Sequence, residues 1–205
     1  MHKQTMKALL IVDVQNDFCK AGSLEVPDAD SIIPFLNNYI ALFEARRLPV
    51  FFSRDWHPET TEHFKQFGGQ WPVHCVKDTF GAQFHPQLQL PKEAVIISKG
   101  TGPEEKSYSA FFAKDDQGND FISLLKRINV EELYIGGLAT DFCVKSSALD
   151  AVNSGFVTYL LIDATKAVTE KGYKEAVDEM CRHAVTLMTF EVLASHMDSH
   201  DQGRA

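Results

Sequence analysis

Six nearly unbroken apolar runs recur along the chain: KALLIVDV, LPVFFSRD, AVIISKG, ELYIGG, VTYLLIDA and AVTLMTF. Strands covered on both faces carry such runs because neither side meets water, whereas a half-exposed strand alternates. Between them lie stretches with apolar positions at helical spacing: SIIPFLNNYIALFEARR, NDFISLLKRI, VKSSALDAVNSG and GYKEAVDEMCRHA. In the first of these, Ile32, Phe35, Leu36, Tyr39, Ile40 and Phe43 carry the periodicity. The alternation predicts an α/β chain with three layers, α/β/α, around a central, mainly parallel six-stranded sheet of Rossmann-like type. No repeat, low-complexity block or linker divides it, so residues 1–205 read as one domain. The closing SHMDSHDQGRA is polar, and residues 196–205 read as a frayed tail.

In an open parallel sheet, ligands bind beyond the carboxyl ends of the strands. The first run ends at Asp13, the second at Asp55 followed by His57, and the third at Lys99; the fourth leads through two glycines to Cys143. Each has an ordinary explanation taken singly. A free cysteine is usually a small buried hydrophobe, Asp13 can cap a strand, and Lys99 can be a surface charge. Their joint arrival at one sheet edge argues for chemistry.

Cys143 precedes the helix-like VKSSALDAV, so first-turn amides and the helix dipole should lower its pKa, and Lys99 adds a positive charge. Asp13 can take the thiol proton and return it to a leaving group. The amides around Ala139 and Cys143 can hold a developing oxyanion. These groups together describe acyl transfer through a covalent thioester.

A second constellation lies in SRDWHPETTEHFKQFGGQWPVHCV. Asp55 and His57, two residues apart, share a face of an extended segment, and His74 follows after a loop. Two imidazoles and a carboxylate with open positions suit Zn, Fe or Mn, although a D-x-H with a distant His also arises by chance. His63 is a further candidate and stays open. Cys75 reads as structural, since its neighbour His74 points the other way on an extended segment.

Composition narrows the setting. The chain is 44% hydrophobic and 23% charged, as globular proteins are, and its net charge of −8 disfavours nucleic acid and anionic membranes. No apolar run reaches the length of a membrane span. The N-terminal MHKQTMKALLIVDVQ meets Asp13 too early for a signal peptide, which points to the cytoplasm. Cys19, Cys75, Cys143 and Cys181 are therefore expected reduced.

The motifs LLIVDVQNDF, SRDWHP, WPVHCV, SKG and GGLATDFCV, in that order, resemble the nicotinamidase branch of the isochorismatase-like cysteine hydrolases. The resemblance extends over nearly the whole chain. It implies an Asp13, Lys99 and Cys143 triad, an oxyanion-hole amide at Ala139, and a cis peptide between Leu138 and Ala139. It also implies one divalent metal ion, zinc first and Fe or Mn as alternatives, on Asp55, His57 and His74, holding the ring nitrogen of nicotinamide. Phe18 and Trp71 match the aromatics that sandwich the flat ring. The implied reaction converts nicotinamide, and pyrazinamide with it, to the acid and ammonia, feeding NAD salvage.

One departure is that Thr61 stands where relatives often place a second histidine, while His63 stands where others have an extra metal contact. GTGPEEKSYSAFFAKDDQGND reads as a lid, with Tyr108 either touching substrate or anchoring the loop. His196 and His200 do not read as a metal pair. The rivals are a sibling amidase on another small amide or carbamoyl compound, a non-catalytic binding module, and a redox sensor using Cys143 with Cys19. Assembly into a homo-oligomer is compatible with each.

Overall fold

The computed structural model describes residues 5–105 and 108–202, the last four of them by backbone only. Strands β1 (Met6–Val12), β2 (Val50–Asp55), β3 (Val95–Lys99), β4 (Val130–Leu138), β5 (Val157–Lys166) and β6 (Thr186–Met188) form one sheet in the order β3-β2-β1-β4-β5-β6. Every neighbouring pair is parallel, so the sheet is wholly parallel. The order reverses between β1 and β4, where the connections lead away to opposite sides and leave a crevice at the strand ends. Asp13 and the turn carrying Cys143 flank that crevice because they directly follow those two strands.

Helices α1 (Ile33–Ala45) and α5 (Phe190–Gln202) pack on one face. Helices α2 (Phe121–Arg127), α3 (Lys145–Asn153) and α4 (Glu170–Arg182) pack on the other. Along β1, Leu9 and Ile11 enter the first core and Ala8, Leu10 and Val12 the second. The pleat thus sends alternate residues into two dry layers, which is why the run reads as continuously apolar. Gly137 in β4 has φ 117, and a β-carbon there would stand 2.2 Å from Val12 O. No other residue type lets β4 pass β1 this closely at the site end.

In α1, Ile33, Leu36, Tyr39, Ile40 and Phe43 are buried. Periodicity groups Phe35 with them, but it is 45% exposed, because one residue's turn of about 100° from Leu36 carries it outside the buried stripe. The tail also departs from expectation. Helix α5 continues to Gln202 instead of fraying from residue 196, and Leu193 and Met197 enter the core. Three apolar anchors at helical spacing, Phe190, Leu193 and Met197, stabilise it despite its polar composition. Its start is pinned where Asp163 accepts the Phe190 N–H at 2.8 Å and the Tyr39 hydroxyl at 2.7 Å. His200 lies among the residues whose side chains are not described, and residues 203–205 lie outside the described residues. No helix among the described residues is long and apolar enough to cross a membrane.

Candidate active site

Three strand ends converge on one ammonium group. Lys99 closes β3 and reaches across the end of β2 towards β1. Its Nζ lies 2.6 Å from Asp55 Oδ1, 2.7 Å from Asp13 Oδ2 and 3.6 Å from Cys143 Sγ. An ammonium has three protons, and these three neighbours account for its donor capacity. Lys99 is 1% exposed. A lysine so deeply buried stays charged only where opposite charge offsets its lost hydration, and two carboxylates supply it. Asp13 is held on its other side by the Ser53 hydroxyl, which donates to Oδ1 at 2.7 Å.

The charge balance decides the resting state. Burial opposes ionisation of Lys99, but Asp13 and Asp55 override it and raise its pKa well above the usual lysine value. Burial likewise works against the Asp55 carboxylate, yet Lys99, His57 and His74 together outweigh it and hold the pKa below the ordinary range. Asp13 goes the other way: burial, reinforced by the nearby Asp55 charge, raises it despite Lys99. Cys143 is the correction. Its thiol was expected to be depressed, but burial pushes it well above its usual value despite Lys99, and Asp13 and Asp55 add to the rise. Buried in this way, the sulfur rests as a thiol and its proton must leave as it attacks. Asp13, with a carboxylate oxygen within 4.8 Å of the sulfur, is suited to receive it.

The Leu138–Ala139 peptide is cis. Thr140–Val144 then forms a single π-helical turn that runs into α3. The helical segment therefore begins three residues before Cys143, not at it. Such wide turns concentrate at functional sites. Thr165 anchors this one, donating to Gly137 O at 2.8 Å while its hydroxyl lies 2.8 Å from that of Thr140.

Asp55, His57 and His74 bring one ligand atom each to within 4.8 Å of one another. His57 Nδ1 donates to Gly100 O at 3.0 Å and His74 Nδ1 to Pro72 O at 2.8 Å, which leaves a lone pair on each Nε2. His57 Nε2 is buried without a hydrogen-bond partner, 3.6 Å from Asp55 Oδ2. Burial keeps His74 neutral by lowering its pKa. A buried, unpaired imidazole nitrogen is costly unless something binds it. Two imidazoles and a carboxylate form a donor set that fits a divalent cation.

Asp55 therefore belongs to both constellations, one oxygen on Lys99 and the other facing His57. Its backbone is clamped by Gln15, which accepts the Asp55 N–H at 2.8 Å and donates to Asp55 O at 2.7 Å. His63 packs beside His57 with ring centroids 5.0 Å apart, but its Nε2 donates to Glu105 O and it is not one of the three converging residues. Cys75 is buried with its thiol pushed well up by burial, in keeping with a structural role.

Phe18, Trp71, Ala139 and Cys143 line one cleft together with Tyr108, Phe142 and Val168. Trp71 Nε1 donates to the Tyr108 hydroxyl at 3.0 Å, and both rings pack on Phe142. The lid-like segment is stitched to the metal-side loop: Pro103 O accepts Glu62 N at 2.9 Å and the Thr61 hydroxyl at 3.0 Å. Residues 106 and 107 of that segment lie outside the described residues. Periodicity and motif reading overlooked Gln15, Ser53 and Phe142; a second polar residue two positions past Asp13 was the available signal for the first. Cys19, the sulfur considered as a redox partner, is buried with its pKa pushed up to about 12 by burial, Asp30 and Glu25, which makes it a poor thiolate.

Comparison with known proteins bears on the whole of this arrangement. The isochorismatase domain matches residues 7–192. The nicotinamidase/pyrazinamidase of Mycobacterium tuberculosis is 37% identical over 188 residues, covering 89% of this chain and 98% of that one. Pyrazinamidase of Pyrococcus horikoshii, solved in complex with zinc, superposes with a TM-score of 0.84 at 42% identity, over 90% of this chain and 99% of that one. PnC1 from L. infantum, solved with nicotinate, gives a TM-score of 0.82 at 34% identity, over 90% and 93% of the two chains.

Proposed function

The chain belongs to the isochorismatase family, and from that premise we propose that it hydrolyses nicotinamide, and pyrazinamide with it, to the ring carboxylate and ammonia. The observation that carries this reading is one cleft lined by Phe18, Trp71, Asp55, His74 and Cys143, with Lys99 behind it tying the sulfur to Asp13 and Asp55. A ring amide needs both ends held: the ring by flat apolar walls and a Lewis acid, the carboxamide by the nucleophile. The similar proteins named nicotinamidase or pyrazinamidase support that substrate class.

Phe18 and Trp71 supply the flat walls, each stacking contact worth roughly 0.5–1.5 kcal/mol. Asp13 takes the Cys143 proton as the sulfur bonds to the carboxamide carbon. The negative charge moves to the carboxamide oxygen, for which the amides at Ala139 and Cys143 would be the donors. Asp13 then gives its proton to the amide nitrogen, the C–N bond breaks, and ammonia leaves behind a thioester on Cys143. Asp13 next takes a proton from water, whose oxygen attacks the thioester. The carboxylic acid departs and the sulfur regains a proton. Lys99 stays ionised throughout, holding Asp13 in position and compensating charge that develops on the sulfur.

A divalent cation on Asp55, His57 and His74 would anchor and polarise the ring through its nitrogen. We assign it as zinc, on the donor set and on the zinc complex of the P. horikoshii relative, with Fe or Mn as the alternatives. The cysteines are free, in keeping with a cytoplasmic setting. A homo-oligomer is compatible with this chemistry but not required by it. The test is ammonia release from nicotinamide by the zinc-loaded protein, with aliphatic amides as comparators. Turnover of nicotinamide well above the aliphatic amides is expected; the reverse order would assign the protein to another amide.

A further inference from the structure

Asp141 lies two residues before Cys143 yet turns away from the reacting groups and into the first turn of α4. Its Oδ1 accepts the N–H of Val168 at 3.0 Å. A β-carbon on Gly172 would stand 2.2 Å from Asp141 Oδ2 and 2.8 Å from the Thr169 hydroxyl. Thr169 is the N-cap of α4, its hydroxyl accepting from Gly172 N at 2.9 Å. The carboxylate is therefore pressed against the helix backbone, in space that any side chain at 172 would fill. Gly172 is not among the positive-φ glycines. Glycine is also a poor choice inside a helix, so contact and not backbone conformation explains it. Lys145, at the start of α3, adds a second tie to α4 through Glu179 at 3.1 Å.

We infer that Asp141 is a positioning residue, which with Gly172 locks the nucleophile turn onto α4. The lock keeps Cys143 Sγ and the adjacent amides in register with Asp13 and Lys99. Those groups come from the opposite side of the crevice. A shift of about 1 Å at a reacting atom can cost about a hundredfold in rate. The inference rests on the amidase reading above.

A double-mutant cycle on the metal-loaded protein tests it, with kcat and KM for nicotinamide measured in Asp141→Ala, Gly172→Ala and the pair. Each single substitution should lower kcat by about tenfold or more, with KM changed less than about twofold. The second substitution should add little to the first, because the new methyl occupies the space the carboxylate vacated. Asp141→Asn keeps an acceptor for Val168 N and should retain most of kcat. Multiplicative losses, a Gly172→Ala protein as active as wild type, or loss expressed in KM alone would each overturn the inference. If Asp141→Ala fails to fold, Gly172→Ala decides the matter, since alanine is the better helix former and leaves α4 intact by circular dichroism. The rate of Cys143 alkylation by iodoacetamide is a parallel readout. A wild type that releases no ammonia would sink the amidase reading, whereas the alkylation cycle would still report on the lock.

Discussion

Replacing Lys99 by methionine keeps roughly the same volume and removes the one charge that compensates two buried carboxylates. Each contact, at 2.7 Å to Asp13 and 2.6 Å to Asp55, is worth about 6 kcal/mol in gross Coulomb energy at an effective dielectric of about 20. Most of that offsets the desolvation of three ions, and breaking such a group from one side leaves a net loss of about 3–5 kcal/mol. For a chain of this size the melting temperature should fall by about 6–20 °C. The sign with pH is also fixed. In the wild type the depressed Asp55 contributes stability that is present above its unfolded pKa and lost only as pH falls through its folded one. In the variant both carboxylates have raised folded pKa values, so acidification protonates them in the folded state and restores stability. The gap between the two proteins, followed by thermal melts in chelator, should therefore narrow from about pH 7.5 to about pH 5.5. A variant that melts with wild type at neutral pH, or a gap that does not move with pH, would refute the compensated-charge picture.

Cys143→Ala should abolish ammonia release while leaving the melting transition in place, and Asp13→Asn should be nearly as damaging because Asp55, the other carboxylate within 4.8 Å of the sulfur, is held below the ordinary range and is the weaker base. Burial raises Asp13, and it must be ionised to act, so the acid limb of kcat/KM should lie above the ordinary aspartate value of 3.8; a pH profile with its limb at or below that value would assign the limb to another group. Chelation should weaken nicotinamide binding by calorimetry, and zinc should restore it; binding indifferent to exhaustive metal removal would remove Asp55, His57 and His74 from the ring site. Gln15→Ala should lower metal affinity more than His63→Ala does, because Gln15 fixes the Asp55 backbone while His63 is engaged with Glu105 O; equal losses by metal titration would restore His63 as a ligand.

The strands were legible because a doubly covered strand must be apolar at every position, and their polar terminal residues stood out against that background. Asp13, Lys99 and Cys143 were therefore visible as candidates from position alone, and the sheet order then brings them together. Asp55, His57 and His74 were visible as a donor set, but the role of Asp55 as the second counter-ion to Lys99 was not. It depends on strand register, which pairs Asp55 with Lys99 across β2 and β3. The Cys143 thiol was misjudged for a related reason. A helix dipole can be read locally, whereas the burial that raises the thiol emerges only once the strands are assembled. Helix α5 was missed because only three apolar residues hold a polar segment on the sheet. The Asp141–Gly172 contact joins turn and helix through space, with no periodicity to announce it.

The most direct measurement is mass spectrometry of the acid-quenched enzyme during steady-state turnover of nicotinamide. A nicotinoyl group bonded to the peptide that contains Cys143, absent from Cys143→Ala protein, is the predicted result. Ammonia release at full rate with that peptide unmodified, or with the acyl group on another residue, would contradict the account.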